Sequence, residues 1–269
     1  MTTPVVPAVR THDLTRRFKD VVAVDRLDLE VGGDEIFGLL GPNGAGKTTT
    51  IKMLITLLPP TSGTALVAGH DVATDASAVR RRIGYVPQLV SADGALTGRE
   101  NLELSARLHH LRGDERRERV ADALRFMGLE DAADRLARTY SGGMIRRLEL
   151  AQAMLHEPAV LFLDEPTVGL DPIARASVWE HVRRLRDRDG TAILLTTHYM
   201  DEADELCDRV AIMHAGTVRA IGSPAELKSG LGPDATLDDV FADLTGAGLE
   251  TGGTYRDVAR TRRTAHRLG

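Results

Sequence analysis

The chain has 269 residues, 42% hydrophobic and 27% charged, with a formal net charge of -5. That length supports one large domain or two smaller ones around a sizeable core, and the mild, diffuse acidity argues against nucleic acid as a partner. Cys207 is the single cysteine, so an internal disulfide is excluded, and no apolar run approaches the roughly 20 residues needed to span a bilayer, which predicts a cytoplasmic chain that reaches a membrane only through a partner.

Residues 8 to 40 read as strands: Val21, Val22, Ala23 and Val24, then Leu27, Leu29 and Val31 alternating with Asp28 and Glu30, predict an initial antiparallel sheet. Ile36, Phe37, Leu39 and Leu40 form a buried strand that runs into Gly41-Pro42-Asn43-Gly44-Ala45-Gly46-Lys47-Thr48-Thr49, and the proline-free stretch from Thr48 to Leu58 then reads as a helix. The loop fits G-x-x-x-x-G-K-[ST] at every fixed position, in the strand-loop-helix context the pattern requires. Its glycines let the backbone curl with N–H groups pointing inward, the helix presents its positive end, and Lys47 adds a point charge beside the β- and γ-phosphates. Thr48 offers a hydroxyl to Mg²⁺. The whole stretch, Gly41, Asn43, Gly44, Ala45, Gly46, Lys47, Thr48 and Thr49, predicts a nucleoside triphosphate site.

Pro59-Pro60-Thr61-Ser62-Gly63 stops that helix, Thr64 to Val72 resume extended structure, and Ile83 to Pro87 form another short strand. From Leu89 to His156 the composition turns to Arg, Glu, Leu and Ala, which predicts an inserted helical subdomain. Val120, Leu124 and Met127 share one face, and Leu129, Ala133, Leu136 and Tyr140 carry the same helical spacing onward as core packing. Val160 to Leu163 and Ala192 to Leu195 are buried strands joined by the helical stretch Ile173 to Leu185, so they are expected to be parallel neighbours. Val210 to Met213 and Thr217 to Ile221 read as a hairpin about His214-Ala215-Gly216. Beyond Pro224 the sequence predicts one helix, Leu237 to Leu244, and an end rich in Arg256, Arg260, Arg262, Arg263 and Arg267 that reads as a frayed terminus.

Two further stretches carry chemistry. Asp164 closes an apolar strand and Glu165 follows it, a pairing that alone is a common turn but, joined to the phosphate loop, predicts Asp164 in a Mg²⁺ shell and Glu165 as the base that orients and deprotonates water. Tyr140-Ser141-Gly142-Gly143-Met144 opens a helix with Ser141 as N-cap and two glycines that leave N–H groups uncovered, a second anion-binding helix end.

These motifs, in this order, resemble the ATP-binding cassette family, whose signature loop is usually Leu-Ser-Gly-Gly-Gln. The resemblance covers about residues 8 to 222. It implies an α/β phosphate-loop NTPase core with a mainly parallel sheet, an N-terminal antiparallel β subdomain and an α-helical subdomain inserted at about 89–156, all within a domain 1–222, followed by a C-terminal tail 223–269. It further implies that Gln88, after Gly84-Tyr85-Val86-Pro87, is the Q-loop glutamine that ligates Mg²⁺ or water. By the same likeness Asp171 belongs to the D-loop, His198 is the switch histidine, Phe18 stacks on adenine, and Ser141, Gly142 and Gly143 face phosphate. Met144 departs from the usual Gln, and Val168-Gly169 stands where many members have Ser-Ala. The run Arg146-Arg147-Leu148-Glu149-Leu150 after the signature, with Leu237-Asp238-Asp239-Val240-Phe241, is similar to the daunorubicin-resistance branch of drug exporters.

Membership implies ATP and Mg²⁺ as cofactors, a homodimer with ATP at the interface, and a separate integral membrane permease subunit that holds the chain peripherally at the cytoplasmic face of the membrane. A groove around Gln88 to Leu102, with Ser91 and Asp93 as exposed positions, is the expected seat for that partner. The other reading is a soluble cassette ATPase with no transport role, but translation members usually carry two cassettes and repair members a long coiled coil or zinc hooks. A regulator that does not turn over would lack Glu165 or His198, and both are present.

Overall fold

Two sheets take up the apolar residues, and the spacing of those residues dictates which sheet each strand joins. In the computed structural model, which describes residues 7–246, β1 (Val9–Phe18) and β2 (Val21–Val31) form an antiparallel pair, and β3 (Ile36–Leu40) leads through the phosphate loop into α1 (Lys47–Leu54). β4 (Ser62–Val67) and β5 (His70–Asp71) return to the first sheet, and α2 (Ala76–Arg82) precedes β6 (Ile83–Val86). Three helices follow, α3 (Gly98–Leu108), α4 (Gly113–Phe126) and α5 (Gly142–Met154). The chain then alternates: β7 (Val160–Asp164), α6 (Pro172–Asp189), β8 (Ala192–Thr197), α7 (Met200–Leu206) and β9 (Arg209–His214), closing with β10 (Thr217–Gly222), α8 (Pro224–Ser229) and α9 (Leu237–Thr245). The Arg-rich end lies outside the described residues.

The antiparallel sheet has the order β2-β1-β4-β5 and the larger sheet the order β10-β9-β3-β8-β7-β6, parallel except for the β9/β10 hairpin. Every residue of β3, β7 and β8 is buried, which is why these strands read as continuous apolar runs and not as alternating ones. Their side chains still alternate between two cores. Phe37 and Leu39 pack with Leu27, Leu29, Ile51 and Leu54 beneath the antiparallel sheet, whereas Ile36 and Leu40 share the opposite core with Leu148, Val178 and Phe241. Truncating any of these leucines to alanine removes about 2 to 5 kcal/mol, so both layers hold the strand ends in place.

The structure corrects the sequence reading in three places. α1 ends at Leu54 and the chain turns through Thr56, so the helix does not reach Leu58. α4 ends at Phe126, and the continued spacing through Leu129, Ala133 and Tyr140 belongs to a loop with two single 3-10 turns, Glu130–Ala132 and Ala137–Thr139. Leu129, Ala133 and Tyr140 are apolar because that loop packs on the same core as α4. The short helices α2, α7 and α8 went unread because six or seven residues give too few turns for a periodic apolar face to register. α9 does form where expected: Thr236 and Asp239 make a reciprocal cap, and Leu237, Val240 and Phe241 are its buried face. Among the described residues no helix is long and apolar enough to cross a membrane.

His156, just past α5, stacks on His109 of the segment after α3 with ring centroids 3.7 Å apart. Its Nε2 lies 2.9 Å from the Ile83 carbonyl oxygen while Nδ1 is buried without a partner. Burial, helped by the neighbouring His109, pushes the ring from its ordinary value of 6.5 down to about 4. Between those values the unfolded chain binds the extra proton, so this contribution to stability is complete above the ordinary value and is lost as pH falls towards the folded one. The urea midpoint is therefore expected to drop more steeply between about pH 7 and 5 in the parent than in His156→Gln, where only the groups shared by both proteins, His109 and His181 among them, titrate. Parallel pH profiles would refute the assignment.

Candidate active site

Parallel register brings the site together. β8 lies between β3 and β7, with Leu40 opposite Thr197 and Asp164 opposite Thr196, so the loops leaving all three strands emerge side by side at their carboxyl ends. The phosphate loop is tied to this edge by Gly41 N–H, which donates to the Thr197 carbonyl at 3.3 Å. At the other end of the loop Gly46 caps α1 with φ 106, and a Cβ there would stand 2.6 Å from the Ala23 carbonyl oxygen. Only glycine both adopts that left-handed turn and fits beneath β2, and it leaves the first amides of α1 uncovered.

Lys47, the first residue of α1, is buried, and its Nζ donates to the carbonyls of Gly41 at 2.6 Å and Pro42 at 3.2 Å. Burial lowers its pKa, and the charges of Glu165 and Asp164 oppose that shift. Thr48 Oγ1 donates to Asp164 Oδ1 at 3.1 Å, and Thr196 Oγ1 donates to the same oxygen at 2.6 Å.

Glu165 is the point on which separate elements converge. Gln88 Nε2, just beyond β6, donates to Oε2 at 3.0 Å, while His198 Nδ1, just beyond β8, and Lys47 Nζ approach Oε1 at 3.2 and 3.4 Å. The backbone of Glu165 is left-handed, φ 49, a conformation that costs a non-glycine residue about 1 to 3 kcal/mol and survives only where neighbours impose it. Its own N–H supplies that restraint, donating to the Thr196 carbonyl oxygen at 3.1 Å and to Thr196 Oγ1 at 3.0 Å. With Nδ1 engaged by a carboxylate, the His198 ring offers a second donor at Nε2 only as the cation. The arrangement can cradle phosphates, hold a hard cation between Thr48 and Asp164, and aim a carboxylate at water.

Other residues singled out from the sequence lie apart from this cluster in their contacts. Ser141 is exposed at the N-terminus of α5, where its Oγ accepts from Met144 N at 3.3 Å, and Gly142 and Gly143 pack against Leu170 and Ala174. The Met144 side chain packs on the apolar core, which accounts for a thioether where an amide is usual. Asp171 caps α6 by accepting from the amides of Ile173 and Ala174. Phe18 is 42% exposed, with the Arg16 guanidinium 4.6 Å from its ring centroid.

Two contributors escaped the sequence. Thr196 holds Asp164 and Glu165 at once, and its only signal was a hydroxyl at the end of a buried strand. Glu202 is fully buried and accepts from Thr167 Oγ1 at 2.7 Å and Trp179 Nε1 at 2.9 Å, tying the loop after Glu165 to the helix after His198. Burial raises its pKa. It stands in the run Asp201-Glu202-Ala203-Asp204-Glu205, whose other acids are exposed.

An inward-curled loop, a buried ammonium and two strand-end carboxylates are together of use to one kind of ligand, so the class is a phosphate-loop nucleoside triphosphatase. The family model described as ABC transporter matches residues 24–168, over half of the chain, and the chain belongs to that family as an ATP-binding, ATP-hydrolysing member. It is 51% identical over 232 residues to the daunorubicin/doxorubicin resistance ATP-binding protein DrrA of Streptomyces peucetius, covering 86% of this chain and 70% of that one. Among solved structures it matches an ATP-binding subunit of an ABC transporter with TM-score 0.78 and 31% identity, covering 88% of this chain and 99% of the other. It also matches a dimeric, post-hydrolysis ATP-binding cassette bound to ADP and Pi with TM-score 0.71 and 25% identity, covering 80% and 98%.

Gly44 is also left-handed, φ 81, but a Cβ there meets nothing within 4 Å. Gly46→Ala is therefore expected to weaken ATP binding at least tenfold more than Gly44→Ala, since only the former adds a backbone clash to the conformational cost. Equilibrium binding of a fluorescent ATP analogue to the two variants measures the difference, and equal losses would remove the contact with Ala23 from the explanation.

Proposed function

We propose that the chain powers export of a drug-like or lipophilic molecule through a separate integral membrane permease subunit, from the cytoplasmic face of the cell membrane. The observation that carries the chemistry is the convergence of Lys47, Gln88 and His198 on Glu165. The extensive identity to a daunorubicin/doxorubicin resistance protein supports the cargo class.

In this reading Lys47 and the amides of the phosphate loop bind the β- and γ-phosphates, and Glu165 takes a proton from water as the water oxygen attacks the γ-phosphorus and the bond to ADP breaks. Gln88 and His198 orient that carboxylate, and His198 as the cation offers a donor towards the departing phosphate. Mg²⁺ fits the donors present: Thr48 and Asp164 are hard oxygens already in contact, and Gln88 has an amide oxygen to add. When bound, Mg²⁺ neutralises charge on the phosphate oxygens. One carboxylate plus phosphate oxygens suffices for this ion, in keeping with the absence of any larger ligand cluster among the described residues.

The exposed α5 terminus at Ser141, with Gly142 and Gly143, is suited to an anion, and its own-chain contacts are with the start of α6. We infer a homodimer in which that end meets ATP held by the phosphate loop of a second copy, with Asp171 beside it. The dimeric cassette among the structural matches supports this arrangement. Phe18 has a ring face opposite Arg16 for adenine.

The seat for the membrane subunit follows Gln88. Leu89 and Val90 are 81% and 63% exposed beside a cavity of about 260 Å³ lined by Tyr85, Ser91, Ser105, His109, Gln152 and His156. Ser91 and Asp93 are exposed, as read from the sequence, but their hydrogen bonds make them poor probes of it. Ser91 donates through both N and Oγ to buried Glu149, and the Asp93 carboxylate accepts from the Ala95 amide while its backbone exchanges bonds with the Asn101 side chain.

Glu165→Gln is expected to bind ATP as the parent does while turnover falls about 10² to 10⁴-fold, as loss of a general base does. A steady-state phosphate-release assay reads this, and parental turnover would exclude Glu165 as the base. For the transport role, the chain co-expressed with the membrane protein encoded beside it should sediment with membranes and confer efflux, and Leu89→Glu with Val90→Glu should abolish both with ATP affinity within about twofold of the parent. A chain that stays soluble in the presence of that neighbour supports the soluble cassette ATPase instead.

A further inference from the structure

α5 carries a buried ion pair that the nucleotide site does not use. Arg146 and Glu149, one turn apart, have side chains 6% and 1% exposed, with Arg146 Nη1 2.9 Å from Glu149 Oε2. Removing two charges from water costs several kcal/mol each, and a buried pair commonly stabilises a fold no better than two apolar residues of similar volume. Stability alone is therefore a weak reason for it, and the remaining contacts supply a better one.

Both charges grip the same short segment. Arg146 donates from Nη1 to the Pro87 carbonyl at 2.8 Å and from Nη2 to the Gln88 carbonyl at 3.2 Å. Glu149 Oε1 accepts from Ser91 N at 2.5 Å and from Ser91 Oγ at 2.9 Å. The guanidinium thus holds the start of residues 87–91 and the carboxylate holds the end, with exposed Leu89 and Val90 between. Neither grip is available to apolar side chains, which would leave two carbonyls and an amide to find other partners. The neighbouring Arg147 donates Nη1 to the Met127 carbonyl at 2.8 Å, fixing the same turn of α5 to the end of α4.

We propose that Arg146 and Glu149 are positioning residues that clamp the Gln88 segment to the helix beginning at Ser141, so that the contact of Gln88 with Glu165 and the exposed helix end move as one body. The catalytic consequence rests on the reading of Glu165 as the base. The mechanical consequence does not: with the pair intact, segment 87–91 cannot change its place without carrying α5 along. A shift at Gln88 then reaches both the helix end that would face a second copy and the two apolar side chains that would face a membrane partner.

The test uses the full-length chain and the double variant Arg146→Met with Glu149→Leu, which replaces the pair by apolar residues of similar bulk. Its melting temperature is expected to stay within a few degrees of the parent and its KM for ATP within about threefold, while kcat falls at least tenfold and the Ser91 amide exchanges hydrogen at least tenfold faster. Glu149→Gln, which keeps the shape and one acceptor for Ser91, should fall between the two on both measures and serves if the double variant does not fold. Parental kcat or unaltered Ser91 exchange in a folded variant overturns the proposal. Failure of the Glu165 reading registers separately, as parental turnover in Glu165→Gln, and leaves the exchange measurement as the judge of the clamp.

Discussion

The contact between Lys47 and Glu165 is the constraint to which the rest of this structure answers. Burial lowers the pKa of Lys47, and the charge of Glu165 opposes that shift. The pair needs a loop that curls the chain around the Lys47 side chain and a strand that ends at the right height beside it. β3 supplies the loop, β7 the carboxylate, and β8 between them supplies Thr196 to pin both Asp164 and Glu165. Three fully buried strands are what fix those ends.

Strain and desolvated charge are concentrated here. Glu165 is left-handed, Gly46 is wedged under β2, and Lys47, Asp164, Glu165 and Glu202 are all buried. Left to themselves, such groups would open the site towards water. The two apolar layers on either face of the sheet oppose this, because each buried leucine contributes about 1.5 to 3 kcal/mol against its exposure. Rigidity is useful at such a place: a carboxylate held by three donors from three elements has little freedom to turn away from its task.

The helical subdomain obeys a different logic. It touches the site through one segment, residues 87–91, and carries at α5 an exposed helix end whose own-chain contacts are made elsewhere. The buried Arg146 and Glu149 join these two features. Met144, the departure from the family signature, fits the same picture: the backbone amide does the capping and the thioether packs on the core.

By itself the sequence determined the class of fold, the phosphate loop, the strand-end carboxylates and the order of the motifs, because each depends on residues adjacent in the chain: glycines that permit a turn, a continuous apolar run that must be a buried strand, a serine that caps the helix after it. It over-extended the helical spacing past Phe126, since burial makes a residue apolar whether it lies in a helix or in a packed loop. It gave no warning of the roles of Thr196 and Glu202, and it marked Arg146 and Glu149 only as part of the run after the signature, not as a buried pair. Tertiary structure alone decided those, because a hydroxyl at a strand end, an acid in an acidic run and an arginine on a helix look alike whether they face water or a partner brought close by the fold. Whether a charge is solvated or clamped is a property of its neighbours in space, and for these residues the neighbours lie on other elements of the chain.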